Sequence, residues 1–259
     1  MSDRFLNDIL RIVFDFFKIL FIFVLVTVFV GNIAKVPSGS MEPTLLIGDT
    51  VLVLRCVYGY NHGSFLIGPV QLPFPVLKDR IFAFRKPRYG DLCAFRTNNP
   101  GDNKTYVKRL VGMPGDKIVV RNGYLYINDS RCPIQYLNET FITQEQVSEI
   151  DKNVHTVISR KYLQTLPSGF QHIFIKRYDF GAAHWDNCGP YYVPEKCYFG
   201  MGDNRDDSTD SRSQEYIGFI REENIVGKVV MVIMSASCSL WKLNKLPFCI
   251  RVDRFFKFV

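Results

Sequence analysis

Residues 37–53 read PSGSMEPTLLIGDTVLV, and this stretch decides how the whole chain is interpreted. Two serines, Ser38 and Ser40, flank a glycine, and an alternating apolar run typical of a half-buried strand follows them. By itself, a Ser-Gly-Ser sequence is far more often a turn than a reactive site. The two hydroxyls therefore indicate chemistry only if other parts of the chain supply groups that act with them.

A long apolar segment lies directly before this stretch. Residues 12–34 read IVFDFFKILFIFVLVTVFVGNIA, and the 16 residues from Ile19 to Ala34 carry no charge. That run is slightly shorter than the roughly 20 residues that span a bilayer, but Lys18 can extend its ammonium group to the interface and draw the preceding Phe-rich turn into the span. The sequence predicts a single transmembrane anchor over 12–34, in preference to a cleaved signal peptide or a buried core helix.

Basic residues are unevenly distributed around the apolar segment. Arg4, Arg11 and Lys18 lie on its N-terminal side, whereas only Lys35 follows it closely. Because cytoplasmic flanks carry the excess of Lys and Arg, residues 1–11 are predicted to be cytoplasmic. The rest of the chain is then expected on the far side of the membrane.

After residue 35 the chain shows strand patterns and almost no helix signals. Alternating or apolar runs bounded by Gly, Pro, Asn and Asp predict strands at 49–55, 91–96, 117–121, 123–128 and 225–234. The dipeptide Asn122-Gly123 between two of these runs predicts a hairpin. Residues 129–198 are more polar and less periodic, which indicates an inserted subdomain. The expected fold is mostly β, with one N-terminal transmembrane helix followed by a β-sheet domain that carries a β-rich insert.

Composition narrows the classes of partner and cofactor. The formal charge is +7, but Lys and Arg are spread along the chain rather than clustered, which disfavours nucleic acid. The seven cysteines form no C-x-x-C pair and no metal-ligand spacing near a histidine, so they indicate no metal site. Two alternatives stay open for them: a Cys188–Cys197 disulfide in an oxidising compartment, or seven unpaired thiols.

Common hydrolase motifs are missing from the sequence. There is no G-x-S-x-G elbow and no H-E-x-x-H pair, and none of the four histidines lies near a dense polar motif. Residues 202–212 (GDNRDDSTDSR) do not fit a calcium loop, because Arg205 and Ser208 occupy positions that need an acid or amide and a glycine. A Ser-His-Asp triad stays open, because its members need not be adjacent in sequence, but no pattern supports it. A catalytic serine with a base other than histidine is the other possibility.

Lys108 is the residue best placed to serve as that base. It lies in YVKRLVGMPGD, residues 106–116, between apolar side chains and next to a tight turn. A lysine drawn into an apolar site loses the hydration of its ammonium form, so its pKa falls. Lowering that pKa by two or three units costs roughly 3–4 kcal/mol, and the neutral amine can then take a proton from a serine hydroxyl.

Several blocks of the sequence, in this order, resemble one family. After the apolar segment come PSGSMEPTLLIGD (37–49), RYGDLCAFR (88–96), YVKRLVGMPGD (106–116) and GDNRDDSTDSR (202–212). These blocks are similar to those of the bacterial type I signal peptidases, the leader peptidases of the S26 serine-lysine protease family. The resemblance implies a catalytic β domain over 35–128 and 199–259, with 129–198 inserted into it.

The resemblance assigns roles to individual residues. Ser40 matches the nucleophile and Lys108 the general base, while Ser38 matches the serine whose hydroxyl completes the oxyanion hole. Ser208 matches the residue that orients the lysine. The ion-pair framework that positions the loop is matched by Arg109, Asp210 and Arg212. The walls of the pockets that accept small substrate side chains are matched by Val36, Met41, Leu45, Tyr106 and Val107.

The resemblance also implies a location and partners. A chain of this kind is expected in the bacterial inner membrane as a single-pass protein with its catalytic domain in the periplasm. It would cleave signal peptides from secretory pre-proteins after small residues of the Ala-x-Ala type, without a cofactor, in contact with lipid and indirectly with the secretion machinery. Two other functions stay open: an inactive membrane-tethered module that binds exported proteins, and a self-cleaving regulator that shares the Ser-Lys dyad.

Three features depart from the family pattern or stay ambiguous. Glu42 stands where some relatives carry an apolar residue, and it is expected on a solvent-facing turn. Residues 58–80 contain apolar side chains around Pro and Gly, so they either contact the lipid interface or form ordinary core strands. The C-terminal residues 250–259, IRVDRFFKFV, lie on anionic lipid or form a plain terminal strand.

Overall fold

The computed structural model describes residues 2–25, 30–60, 66–67, 70–71, 83–97, 99, 102, 104–146, 154–237 and 249–259. Within these residues an α-helix, α1 (Ser2–Leu25), precedes the strands, and short 3₁₀ turns lie at Glu222–Asn224 and Val252–Arg254. The strands in chain order are β1 (Gly31–Lys35), β2 (Asp49–Leu54), β3 (Leu66–Ile67), β4 (Val70–Gln71), β5 (Leu92–Arg96), β6 (Thr105–Gly112), β7 (Lys117–Arg121), β8 (Tyr124–Ile127), β9 (Ser130–Arg131), β10 (Ile134–Gln146), β11 (Val154–Thr165), β12 (Gln171–Lys176), β13 (Cys188–Tyr192), β14 (Cys197–Met201), β15 (Ile220–Arg221), β16 (Ile225–Ser235) and β17 (Lys257–Phe258). The prediction of a mostly β fold is confirmed.

The main sheet carries the residues singled out from the sequence. Its strand order is β1-β2-β16-β5-β6-β14-β15, with β17 also paired to β16. Along β2 the side chains alternate between buried and half-buried, and Val51 and Val53 pack with Val229 and Val232 of β16 in one apolar core. Each such side chain contributes about 1.5–3 kcal/mol when fully buried. The core thus fixes β2, and with it the loop that leads into β2 from β1.

Two smaller sheets of three and four strands accompany the main sheet. One has the order β13-β7-β8-β9 and the other β10-β11-β12. β7 and β8 are joined through Asn122 and Gly123, whose φ angles of 47° and 77° suit a two-residue hairpin turn, so the hairpin prediction is confirmed. Of the predicted insert, residues 129–198, one part forms the β10-β11-β12 sheet, while β13 pairs with β7 outside that range.

Helix α1 and strand β1 each contain part of the predicted anchor segment, and its residues 26–29 lie outside the described residues. The helix starts earlier than expected, and residues 31–34 belong to β1, which pairs antiparallel with β2. A Cβ at Gly31 would lie 2.2 Å from the Val53 carbonyl oxygen, so the glycine permits this close pairing. Residues 7–23 of α1 are all exposed. Among the described residues, no helix has both the length and the apolar character needed to cross a membrane.

The state of the cysteines matches neither of the two alternatives, the Cys188–Cys197 disulfide or seven unpaired thiols. Cys188 and Cys197 carry free thiols, so the alternative that pairs them is wrong. Cys188 lies on β13 and Cys197 on β14, and these strands belong to different sheets. The alternative of seven unpaired thiols is also wrong, because Cys249 is disulfide-bonded.

The two ambiguous stretches have different outcomes. Most of residues 58–80 lies outside the described residues, although β3 and β4 within it pair as a short hairpin. The C-terminus ends in β17, which pairs with β16, as the terminal-strand alternative predicts. The preceding turn is anchored by the buried Arg254, whose Nε lies 3.1 Å from Asp49 Oδ1 and whose Nη2 donates to the Thr44 carbonyl at 2.9 Å.

Candidate active site

Three predicted residues meet at one point of the main sheet. Ser40 lies in the loop between β1 and β2, Lys108 on β6, and Ser208 in the loop between β14 and β15. Lys108 Nζ lies 2.8 Å from Ser40 Oγ and 3.1 Å from Ser208 Oγ. Both distances are within hydrogen-bonding range. The fold therefore brings together residues separated by 68 and 100 positions in the chain.

The environment of Lys108 favours its neutral form. Only 2% of this residue is exposed, and burial lowers its pKa from 10.5 to about 8. The carboxylate of Asp210 opposes the shift, whereas the guanidinium of Arg212 adds to it. On the neighbouring strand, a Cβ at Gly200 would lie 3.0 Å from the Lys108 Cβ, so glycine lets β14 approach the lysine closely. A lysine with this pKa is a usable base near neutral pH.

A buried ion pair holds the loop that carries Ser208. Arg212 donates from Nε to Asp210 Oδ1 and from Nη2 to Asp210 Oδ2, both at 2.8 Å. Asp210 Oδ2 also accepts from the Gly202 N–H at 2.9 Å, and Arg212 Nη2 donates to the Arg205 carbonyl at 2.8 Å. A bidentate Arg–carboxylate pair fixes orientation as well as distance. The loop is therefore closed on itself around this pair.

A second buried ion pair ties the same loop to β6 and to the segment after Ser40. Arg109 donates from Nε to Asp203 Oδ1 at 2.8 Å and from Nη2 to Asp203 Oδ2 at 2.7 Å. Thr44 Oγ1 donates to Asp203 Oδ2 at 2.5 Å, and Arg109 Nη1 donates to the Gly90 carbonyl at 2.8 Å. Burial alone would raise the pKa of Asp203, but Arg109 outweighs it and holds the carboxyl below its usual value. Sequence reasoning identified Arg109 but missed Asp203 and Thr44.

The backbone of Ser40 is held directly by the 202–212 loop. The Asn204 N–H donates to the Ser40 carbonyl at 3.1 Å, and Asn204 Nδ2 donates to the Gly39 carbonyl at 3.3 Å. A Cβ at Gly202 would lie 2.1 Å from Ser208 Oγ and 2.5 Å from the Ser40 carbonyl oxygen. Only glycine fits there, although the sequence pattern alone marked this position merely as the start of a polar block.

These residues border an open cleft of about 400 Å³. Its lining residues are Ser38, Gly39, Ser40, Tyr106, Lys108, Trp185, Asp206, Asp207, Ser208 and Thr209. Of the five predicted pocket residues, Tyr106 lines the cleft and Val107 packs against the main core. The other three are members of that buried core: Val36, Met41 and Leu45.

Glu42 does not lie on a solvent-facing turn. Only 4% of it is exposed, so that expectation is wrong. Its carboxylate packs against the backbone of the Ser-Gly-Ser turn, where a Cβ at Gly39 would lie 3.0 Å from Glu42 Oε2. The main chain reverses here, since the Glu42 N–H donates to the Gly39 carbonyl at 3.0 Å. This tight turn folds the side chain inward.

Comparison with known proteins identifies related sequences. The model of the family described as "Signal peptidase, peptidase S26" matches residues 9–234. The chain is 34% identical over 231 residues to the signal peptidase I of Rickettsia felis, covering 88% of this chain and 80% of that protein. It is 35% identical over 210 residues to the signal peptidase I of Rickettsia typhi, covering 80% and 73% of the two chains.

Among solved structures, a signal peptidase I from Enterococcus faecalis V583 matches with a TM-score of 0.31 and 26% identity, over 56% of this chain and 97% of that one. The family model extends over most of the chain, and the Rickettsia proteins exceed 30% identity over most of their own length. The chain therefore belongs to the signal peptidase family of serine peptidases, peptidase S26.

Proposed function

We propose that this protein is an endopeptidase that removes signal peptides from secretory pre-proteins, with Ser40 as nucleophile and Lys108 as general base. The observation that carries the proposal is the 2.8 Å separation of Lys108 Nζ and Ser40 Oγ, combined with a lysine pKa lowered to about 8. A buried neutral amine beside a hydroxyl has the geometry and the basicity that a serine nucleophile needs. No histidine takes part in this scheme.

The proposed reaction has two stages. The neutral Lys108 amine accepts the Ser40 hydroxyl proton while Oγ attacks the scissile carbonyl carbon. The resulting tetrahedral oxyanion is stabilised by the Ser38 hydroxyl and the Ser40 N–H, and each such donor is typically worth about 10²–10³ in rate. The C–N bond then breaks as the Lys108 ammonium gives its proton to the leaving amine. Water, deprotonated by the same amine, hydrolyses the acyl-enzyme and releases Ser40.

The remaining predicted residues position this pair. Ser208 lies 3.1 Å from the Lys108 amine and orients it toward Ser40. Arg109, Asp210 and Arg212 act through the two buried ion pairs that fix the 202–212 loop. Because these charges are buried and fully paired, the loop keeps one arrangement around the reacting groups.

The substrate is proposed to bind as an extended strand in the cleft. Main-chain hydrogen bonds along a sheet edge give affinity, and pockets close to the backbone admit only small side chains. Tyr106 and Val107 on β6, with the core residues Val36, Met41 and Leu45 behind Ser40, are proposed to limit the side chains before the cut to small ones such as alanine. The Ala-x-Ala preference follows from this limit.

The enzyme is proposed to work at the bacterial inner membrane, facing the periplasm. Helix α1 carries exposed apolar side chains, among them Ile12, Phe14 and Ile19, which are 69%, 69% and 68% exposed. Exposed apolar surface of this extent on a helix is best covered by lipid. Phe258 on β17 is 79% exposed and follows Lys257 in the chain. An exposed aromatic ring next to a cation suits contact with an anionic lipid surface. Contact with the secretion machinery would be indirect, through the precursor.

The proposal is tested by cleavage of a purified precursor in detergent by the wild type, Ser40→Ala and Lys108→Ala. Both variants are expected to fold and to lose about 10⁴-fold or more of the rate. Ser130→Ala, which removes an exposed serine of β9, should cleave like the wild type. Robust cleavage by Lys108→Ala would refute the dyad. Precursor binding without cleavage by the wild type would favour an inactive module, and cleavage of only its own chain would favour a self-cleaving regulator.

A further inference from the structure

One wall of the cleft comes from the predicted insert and has no role in the reaction described above. Trp185 lines the same cleft as Ser40, Lys108 and Ser208, and its side chain is only partly covered. His184 contacts the indole edge-on, with ring centroids 4.5 Å apart. An aromatic ring left partly uncovered beside reacting groups is an apolar surface that a bound peptide can cover.

Trp185 is held in place by its neighbour in the chain. The Asp186 carboxylate, 3% exposed, accepts from Lys176 Nζ at 2.7 and 3.0 Å. Its Oδ2 also accepts from the N–H groups of Gly181 and Ala183, at 2.8 and 3.1 Å. The loop that carries the indole is thus closed around a buried charge, so the indole is presented in a fixed position.

The same lysine also contacts a second residue that lines the cleft. Lys176 Nζ lies 2.6 Å from Asp206 Oδ1, and Asp206 Oδ2 accepts from the N–H groups of Arg177 and Tyr178, both at 2.9 Å. Asp206 lines the cleft two residues before Ser208. One buried ammonium, 1% exposed, therefore fixes the spacing between the Trp185 loop and the loop that carries Ser208.

We propose that Trp185 is a specificity-determining residue whose indole packs against an apolar side chain of the bound precursor, and that Lys176 is the positioning residue that sets its place. This inference rests on the proposed function, because it concerns the peptide that occupies the same cleft. It gives the predicted insert a role, which is to supply Trp185 to the cleft that Ser40 and Lys108 also line.

Binding can be measured without cleavage in a variant that lacks the Ser40 hydroxyl. Tryptophan fluorescence can report it, because Trp185 and Trp241 are the only tryptophans of the chain. In the full-length double variant S40A/W241F, Trp185 is the sole tryptophan. A peptide spanning a signal-peptide cleavage site should change its emission saturably, whereas a scrambled peptide should not. An emission spectrum that stays constant at saturating peptide, with binding verified by calorimetry, would overturn the inference.

Kinetics separate a substrate contact from an effect on Lys108. Trp185→Ala should raise KM about tenfold with kcat nearly unchanged, as expected for the loss of one interface contact, and Trp185→Phe should recover most of that loss. Tyr192→Ala, which removes an exposed ring of β13, is the matched control and should leave both constants unchanged. Equal KM values in Trp185→Ala and the wild type, or a fall in kcat with a shifted pH profile, would overturn the inference while leaving the proposed function standing. A wild type that cleaves no precursor would instead refute the proposed function.

Discussion

Cleavage by this protein should depend on pH through the amine of Lys108. The pKa of this group is lowered to about 8, chiefly by burial. At pH 7 the neutral, reactive fraction is then about 10%, compared with about 0.03% for a solvated lysine, so burial increases the amount of usable base about 300-fold. Each step of one pH unit below 8 should reduce that fraction about tenfold.

The assay is kcat/KM for a precursor peptide, measured from pH 6 to pH 10 in detergent. The value should rise with a slope of one below pH 8 and flatten above it, because the base must lose its proton before it can act. Ser130→Ala should reproduce the wild-type profile. A kcat/KM that still rises tenfold per pH unit between pH 8 and pH 10, as expected for a solvated lysine, would refute the argument that burial activates Lys108. A profile with no pH dependence would refute it as well.

Three further predictions concern the framework of the site. Gly202→Ala should reduce kcat/KM by at least about 10²-fold, because its Cβ would overlap Ser208 Oγ and the Ser40 carbonyl and displace a reacting group. Arg109→Ala should lower the free energy of unfolding by about 3–5 kcal/mol in urea titrations, since it leaves the Asp203 carboxylate buried without its partner. Acid should lower the free energy of unfolding through Asp91. Burial alone would raise the pKa of this carboxyl, but Arg85 and Lys228 lower it to about 2. The ionised carboxylate therefore contributes about 2 kcal/mol of stability above pH 4, and this contribution is lost as the pH falls through 2.

Each of these predictions has a matched control. Glu215→Ala, an exposed position of the same loop between β14 and β15 and outside the cleft lining, should retain the wild-type fold and the activity that Gly202→Ala loses. Lys117→Ala removes a cation whose partner Asp129 is 67% exposed, and it should change stability by less than about 1 kcal/mol. For the acid prediction, the wild type should lose more stability between pH 5 and pH 2 than Asp91→Asn; equal losses would contradict it.

Local sequence patterns predicted the elements whose causes are local. Successive side chains of a strand point to opposite faces, so the residues of β2 alternate between the buried core and the other face. The hairpin at Asn122-Gly123 forms because both residues tolerate a positive φ. The blocks around Ser40 and Lys108 marked candidate reacting groups through their resemblance to the signal peptidases, because a Ser-Gly-Ser by itself is more often a turn. For β2 and the hairpin, the physical cause lies within a few residues of the pattern.

The tertiary structure decided what depends on contacts across the chain. Asp203 is the partner of Arg109 at a separation of 94 residues, and no local periodicity relates the two. Trp185 belongs to a polar stretch without clear strand pattern, yet its loop is packed beside Ser40 through Lys176. Long-range pairings of this kind arise only when several loops pack together, so the sequence determined which groups can react and the fold determined which of them meet.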